Sequence, residues 1–220
     1  MMQESDYKFG IAFICEGATE KYFYINLLEY YSQKFHHISI TRIEDSVLND
    51  IYYEIISKEF KILIKFNNVG TITQIKNSYI WFQNKCLKMH KIPWHVFLCY
   101  DTDEYCENIT KFYEGDWKNL RKQLSSKWVR SINDLAASAD IEDIMLTDIS
   151  GVCSFLGISV PEIIKGRKGK AKMKFLFRSV NATYHEGERA VPLIKSLNFD
   201  VITSNTQINY RGLANLINSI

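Results

Sequence analysis

No run of this chain stays apolar for the roughly 18–20 residues that a helical membrane span needs. The N-terminus, Met-Met-Gln-Glu-Ser-Asp, has neither the basic region nor the apolar stretch of a secretory signal. The five cysteines are odd in number and contain no Cys-x-x-Cys pair, and three lie in or beside apolar runs, where Cys acts as a small hydrophobe. These features argue against a disulfide framework and place the expected setting in a reducing cytoplasm. No Cys/His spacing fits a zinc site. There is no Gly-x-x-x-x-Gly-Lys-[Ser/Thr] loop, so the chain has no P-loop ATPase motif of its own. No internal repeat is visible. The net charge is only +2, too small for bulk electrostatics to announce a polyanionic partner.

What is present is an ordinary globular balance of 46% hydrophobic and 24% charged residues over 220 positions, enough for one domain. Short apolar runs alternate with helical periodicity. Strands are expected at 8–15, 36–43, 60–66 and 94–100, with further short strands at 129–132 and 199–203. Helices are expected at 18–34, 46–59, 71–90, 116–127, 141–157, 170–180, 187–197 and from about residue 206. Residues 164–169 read as a flexible loop. The alternation predicts an α/β fold with a mainly parallel sheet, right-handed crossovers and a helical C-terminal extension. Residues 1–135 would form the core, and 136–220 a helical part completing the site and packing into the same compact unit.

Charge is distributed unevenly. Glu16 follows the apolar run Phe9–Ile14 and precedes Gly17, which permits a tight turn into the next helix. Asp101 and Asp103 follow the apolar run Val96–Tyr100. The C-terminal ends of parallel strands are where open α/β sheets bind ligands. Carboxylates gathered there suit a hard divalent cation, Mg²⁺ or Mn²⁺. Two carboxylates at alternate positions of an extended segment face the same way and can serve one ion or a pair. Each motif also has a bland reading: a turn with dipole-favoured acids at Glu16 and Glu20, and a helix cap at Asp101 and Asp103. Glu104 extends the acidity. Glu142 and Asp143, at the start of the 141–157 helix, are a further acidic pair, and Asp148 reads as a surface residue. Residues 165–178 hold seven cations. Lys165, Arg167, Lys168, Lys170, Lys172 and Lys174 suit contact with phosphates, and a glycine-flanked lysine such as Lys170 suits a developing oxyanion. A solvated helix face is the alternative. Tyr184 and His185 could face the same cleft, and His36, His37 and His95 read as structural.

The pattern strand–Glu16-Gly17-Ala18-Thr19-Glu20–helix, followed by strand–Asp101-Thr102-Asp103, resembles the Toprim domain of topoisomerases, primases and nucleases. The run Ile14 to Phe23 looks most like small stand-alone Toprim proteins, the RloB-like proteins and relatives of the OLD-type (overcoming lysogenization defect) nucleases of antiphage and restriction-associated loci. The resemblance covers about residues 1–105. It implies a Toprim (Rossmann-like) sheet and a Mg²⁺-dependent active site. Glu16 would be a metal ligand or acid/base, Asp101 and Asp103 metal ligands, Glu142 a further acid, and Lys170 or Lys172 a lysine near the metals. It also implies an antiviral role and a partner ATPase encoded nearby.

The resulting expectation is a metal-dependent endonuclease, a hydrolase of phosphodiester bonds in DNA or RNA, with Glu16, Asp101, Asp103, Lys170 and Lys172 in the chemistry and the basic segment on the nucleic acid. No membrane partner is expected, and a homo-oligomer is left open. The alternative is a catalytically silent module that docks a partner protein. A third reading, a receiver-like phosphoacceptor, would need a Ser or Thr near 203–204 at a strand end.

Overall fold

The computed structural model describes residues 7–47, 49–57, 59–103, 114–204, 208 and 210–220. One six-stranded sheet in the order β2-β3-β4-β1-β5-β6 carries the fold. Its strands are β1 (Tyr7–Cys15), β2 (Ile40–Asp45), β3 (Asp50–Ile56), β4 (Lys61–Asn68), β5 (Trp94–Asp101) and β6 (Val129–Ala137). β4, β1, β5 and β6 are parallel neighbours, while β2, β3 and β4 form an antiparallel meander at one edge. The mixed α/β class and the mainly parallel sheet flanked by helices therefore hold.

β1 from Phe9 to Cys15 and β5 from Val96 to Tyr100 are apolar and buried because both faces of the central strands are covered. Phe9, Ile11, Phe13 and Cys15 of β1, with Phe97 and Cys99 of β5, pack under α1 (Ala18–His36) and the C-terminal helices. Ala12 and Ile14, with Trp94, Val96, Leu98 and Tyr100, pack against the 72–87 helical segment and α3 (Glu114–Leu124). Gly10 pairs with Trp94, and a Cβ there would lie 2.5 Å from the indole ring. Four described cysteines, Cys15, Cys86, Cys99 and Cys153, are buried thiols, and Cys106 lies outside the described residues.

Three sequence expectations need correction. Residues 46–59 were expected to be helical, yet Asp50–Ile56 is strand β3, paired on both sides. The 71–90 helix is broken into a 3₁₀ turn (Ile72–Asn77), a short helix α2 (Ser78–Trp81) and a π-helical turn (Phe82–Leu87). Lys65, 2% exposed, donates from Nζ to the Lys85 carbonyl (2.8 Å) and pairs with Asp50 (2.6 Å), so a buried ammonium takes up a carbonyl of the π turn. Residues 199–204 form a helix, α8 (Phe199–Ser204), not a strand; Thr203 Oγ1 donates to the Phe199 carbonyl, leaving the phosphoacceptor reading without its strand-end hydroxyl.

After β6 come α4 (Ile141–Met145), α5 (Ile149–Leu156), α6 (Gly169–Ser179), α7 (Val191–Ser196), α8 and α9 (Arg211–Asn218). Their apolar residues join the α1 face, so one core spans both halves of the chain. Asp148 is buried rather than on the surface: it caps α5 through the Gly151 N–H (3.0 Å) and accepts the Asn198 N–H (2.6 Å). Among the described residues no helix is long and apolar enough to cross a membrane.

Candidate active site

β1 and β5 are adjacent and end together. Their C-terminal ends meet where the chain, having laid β4 on one side of β1, crosses to lay β5 on the other, the switch point of an open α/β sheet. Glu16 donates its backbone N–H to the Cys99 carbonyl (2.9 Å), and its Oε2 accepts the Asp101 N–H (3.1 Å). The two motifs, 85 residues apart in sequence, are thus joined by a direct hydrogen bond.

β5 and β6 stay paired beyond their last ladder residues. Thr102 N–H donates to Ala137, Asp103 N–H to Ala139, and Ala139 N–H to Thr102 Oγ1 (3.0, 2.9 and 3.1 Å). Asp103 and Ala139 both adopt left-handed backbone, φ 63° and 64°. The buried Thr102 side chain and these two turns set Asp101 and Asp103 against Asp140 and Glu142 at the start of α4.

The result is a cleft of about 880 Å³ lined by Glu16, Glu20, Asp101, Asp103, Asp140, Glu142 and Glu186 together with Arg167, Lys168, Lys170 and Lys174. Asp101 is the centre of the acidic group. Its Oδ1 is buried and has no hydrogen-bond partner. Burial, then the charges of Glu20, Glu16, Glu142 and Asp140, hold its carboxyl well above the usual carboxylate range. Burial, then Asp140, pushes Glu142 up to about 7, against the Tyr184 hydroxyl that donates to its Oε1 at 2.9 Å. Glu20 is likewise pushed up to about 7 by burial, with Glu16 adding to the effect.

Glu16, Asp101, Asp103 and Glu142 are therefore brought to one place. Of the basic segment, Arg167, Lys168, Lys170 and Lys174 line the cleft. Lys168 Nζ pairs with Asp103 (3.0 Å) and Lys170 Nζ with Glu186 (2.7 Å). Lys165 and Lys172 are not among the lining residues; Lys165 is exposed, and Lys172 pairs with Asp143 (2.8 Å). The helix expected at 170–180 is α6 (Gly169–Ser179), and of the expected 164–169 loop only Gly169 belongs to the helix. His185 is exposed, and Glu104 lies outside the described residues. Sequence reading undervalued Glu20, whose signal is its place one turn after Gly17, and missed Glu186, which stands in an ordinary-looking charged run.

An all-oxygen, carboxylate-rich donor set around an orphaned buried oxygen fits a hard divalent cation. Among the described residues no three such side chains already meet at ligating distance, so binding an ion requires carboxylate rotamers to close.

No family model matches the chain, and no curated protein matches it. A search of solved structures returns the 5′-methylthioadenosine/S-adenosylhomocysteine nucleosidase of Campylobacter jejuni, at 11% identity over 96% of this chain and 99% of that one, with a TM-score of 0.27. A TM-score so low carries no argument about fold or activity. The Toprim resemblance does not stand: no family model and no curated protein matches the chain over the residues that carried it. The RloB-like and OLD-type assignment is withdrawn; the antiphage role and the partner ATPase were implied by that resemblance alone. The carboxylates and lysines stand on their geometry alone.

Proposed function

We propose that the chain is a Mg²⁺- or Mn²⁺-dependent hydrolase that cleaves phosphodiester bonds in nucleic acid. The observation that carries this reading is the buried Oδ1 of Asp101, without a hydrogen-bond partner and set among carboxylates in a cleft that cations also line. A buried acceptor without a donor costs about 1–3 kcal/mol, a penalty that a bound cation removes. Glu16, Asp101, Asp103 and Glu142 would hold the metal, which supplies Lewis acidity and charge neutralisation at the phosphoryl group. The chain's own residues do the rest. Lys168 and Lys170, with Arg167 and Lys174, bind and orient the phosphates. Glu20, in the same cleft, would be the candidate to pass a proton to a leaving oxygen.

The test is incubation with plasmid, single-stranded DNA and total RNA in Mg²⁺ or Mn²⁺, for wild type, Glu16→Ala and Asp101→Ala. Both substitutions should abolish cleavage; wild-type cleavage by either refutes the assignment. The second reading, a silent docking module, is favoured by one observation, the absence of preformed ligating geometry among the described residues. Calorimetry separates the two, because a silent module takes up neither ion at millimolar concentration.

A further inference from the structure

The cationic segment reaches the cleft because two carboxylates hold its backbone. Asp140 caps α4, its Oδ1 accepting the Asp143 N–H at 2.9 Å, and its Oδ2 accepts the Lys170 N–H at 3.1 Å. Asp143 accepts the Gly169 N–H with Oδ2 (2.7 Å) and the Lys172 ammonium with Oδ1 (2.8 Å). The first two N–H groups of α6, which no intrahelical carbonyl can satisfy, are thus both taken by α4 side chains. Asp140 and Asp143 are buried, 5% and 9% exposed. The junction has no slack: a Cβ on Gly169 would overlap the Asp143 N and the Asp140 Oδ1. Lys168 and Lys170 stand on either side of this glycine and point to Asp103 and Glu186.

We propose that Asp140 and Asp143 are positioning residues that clasp the start of α6 and fix Lys168 and Lys170 as a phosphate-binding edge, and that they are not metal ligands. The phosphate role rests on the nucleic-acid reading above. The chemistry divides the acids of the site. Both oxygens of Asp140 and of Asp143 are committed to N–H donors, whereas Asp101 keeps an uncommitted oxygen. A lysine pair anchored through its backbone loses less conformational freedom on meeting a phosphate than one on a mobile loop.

The test has three readouts on the full chain. Amide hydrogen exchange should show Gly169 and Lys170 protected in wild type, Gly169 unprotected in Asp143→Ala and Lys170 unprotected in Asp140→Ala. Binding of a fluorescein-labelled single-stranded oligonucleotide in Ca²⁺ should weaken about tenfold in Asp143→Ala. Its log K against log salt slope should fall by about 0.7–1.4, the loss of one or two phosphate contacts. Asp143→Asn, which keeps an oxygen for the Gly169 N–H, should recover most of the affinity. Mn²⁺ affinity by calorimetry should stay within about twofold of wild type, a change of no more than roughly 0.4 kcal/mol. Unprotected amides in wild type, an unchanged salt slope once protection is lost, or a collapse of Mn²⁺ binding in Asp143→Ala each overturns the proposal. If Asp143→Ala does not fold, Gly169→Ala, which wedges α6 from α4, gives the same readouts. Absence of oligonucleotide binding by wild type overturns the nucleic-acid reading and the phosphate role with it, while exchange still decides the clasp.

Discussion

Replacing Glu142 by Gln should stabilise the metal-free protein at neutral pH and leave it unchanged in mild acid. Glu142 is 3% exposed, and burial followed by Asp140 pushes it from 4.5 up to about 7. The folded state therefore keeps its proton to a higher pH than the unfolded chain does. Between those two values unfolding releases a proton, so stability is full below about 4.5 and falls as pH rises through about 7. At about 1.4 kcal/mol per pH unit, the gap sets an upper bound of roughly 3.5 kcal/mol, and relaxation around the charge reduces this to about 2. Glutamine cannot ionise and keeps an oxygen for the Tyr184 hydroxyl, so the variant escapes the loss. In a chain of this length about 2 kcal/mol moves Tm by roughly 4–8 °C. Thermal unfolding in chelator, near pH 5 and near pH 7.5, reads the effect as a difference between variant and wild type, which includes the relief of Asp101 when the Glu142 charge is removed. Millimolar Mg²⁺ should then raise the wild-type Tm more than that of Glu142→Gln. A variant no more stable than wild type at the higher pH, or an equal gap at both, refutes the reasoning.

Two further outcomes test the scaffold. Gly10→Ala places a methyl 2.5 Å from the fully buried Trp94 ring, and overpacking there should cost about 1–3 kcal/mol in chemical denaturation. A loss below about 0.5 kcal/mol would mean that the indole moves aside freely. Lys65→Met leaves Asp50, 14% exposed, without its ammonium and the Lys85 carbonyl without its donor; about 3 kcal/mol should be lost. The double variant Lys65→Met/Asp50→Leu should lose less than the sum of the singles, and strict additivity would show that the pair is not coupled.

The central strands were legible because burial on both faces makes β1 and β5 uninterrupted apolar runs, and the carboxylates at their ends were legible for the same reason. β3 was not. Ile51, Tyr52, Ile55 and Ile56 satisfy a helical spacing, although their β-branched and aromatic character favours a pleated surface. What decides is partnership, because β2 and β4 flank the segment and take up its backbone groups. The reverse error at 199–204 has the same root. Phe199, Val201 and Ile202 look strand-like, but Asn198 Oδ1 accepts the Asp200 and Val201 N–H groups (3.0 and 3.4 Å) and opens a helix whose Phe199 ring lies on α1. That cap was the available signal.

The site divides along a physical line. A residue placed in the cleft by the end of its own strand, as Glu16 and Asp101 are, carries that placement in its local pattern. A residue whose role is to accept donors from a distant segment does not. Asp140 through Asp143 reads as the start of a helix, and that reading is correct as far as it goes: Asp140 does cap α4. Nothing local reveals that its second oxygen reaches Lys170, 30 positions on, or that Asp143 reaches Gly169. The same carboxylates that look like spare metal ligands in the sequence are, in the fold, saturated with N–H donors. Counting acids therefore overstates the metal site and understates the arm. Hydrogen-bond saturation is the better discriminator, and it ranks Asp101 first as a ligand and Asp143 among the last.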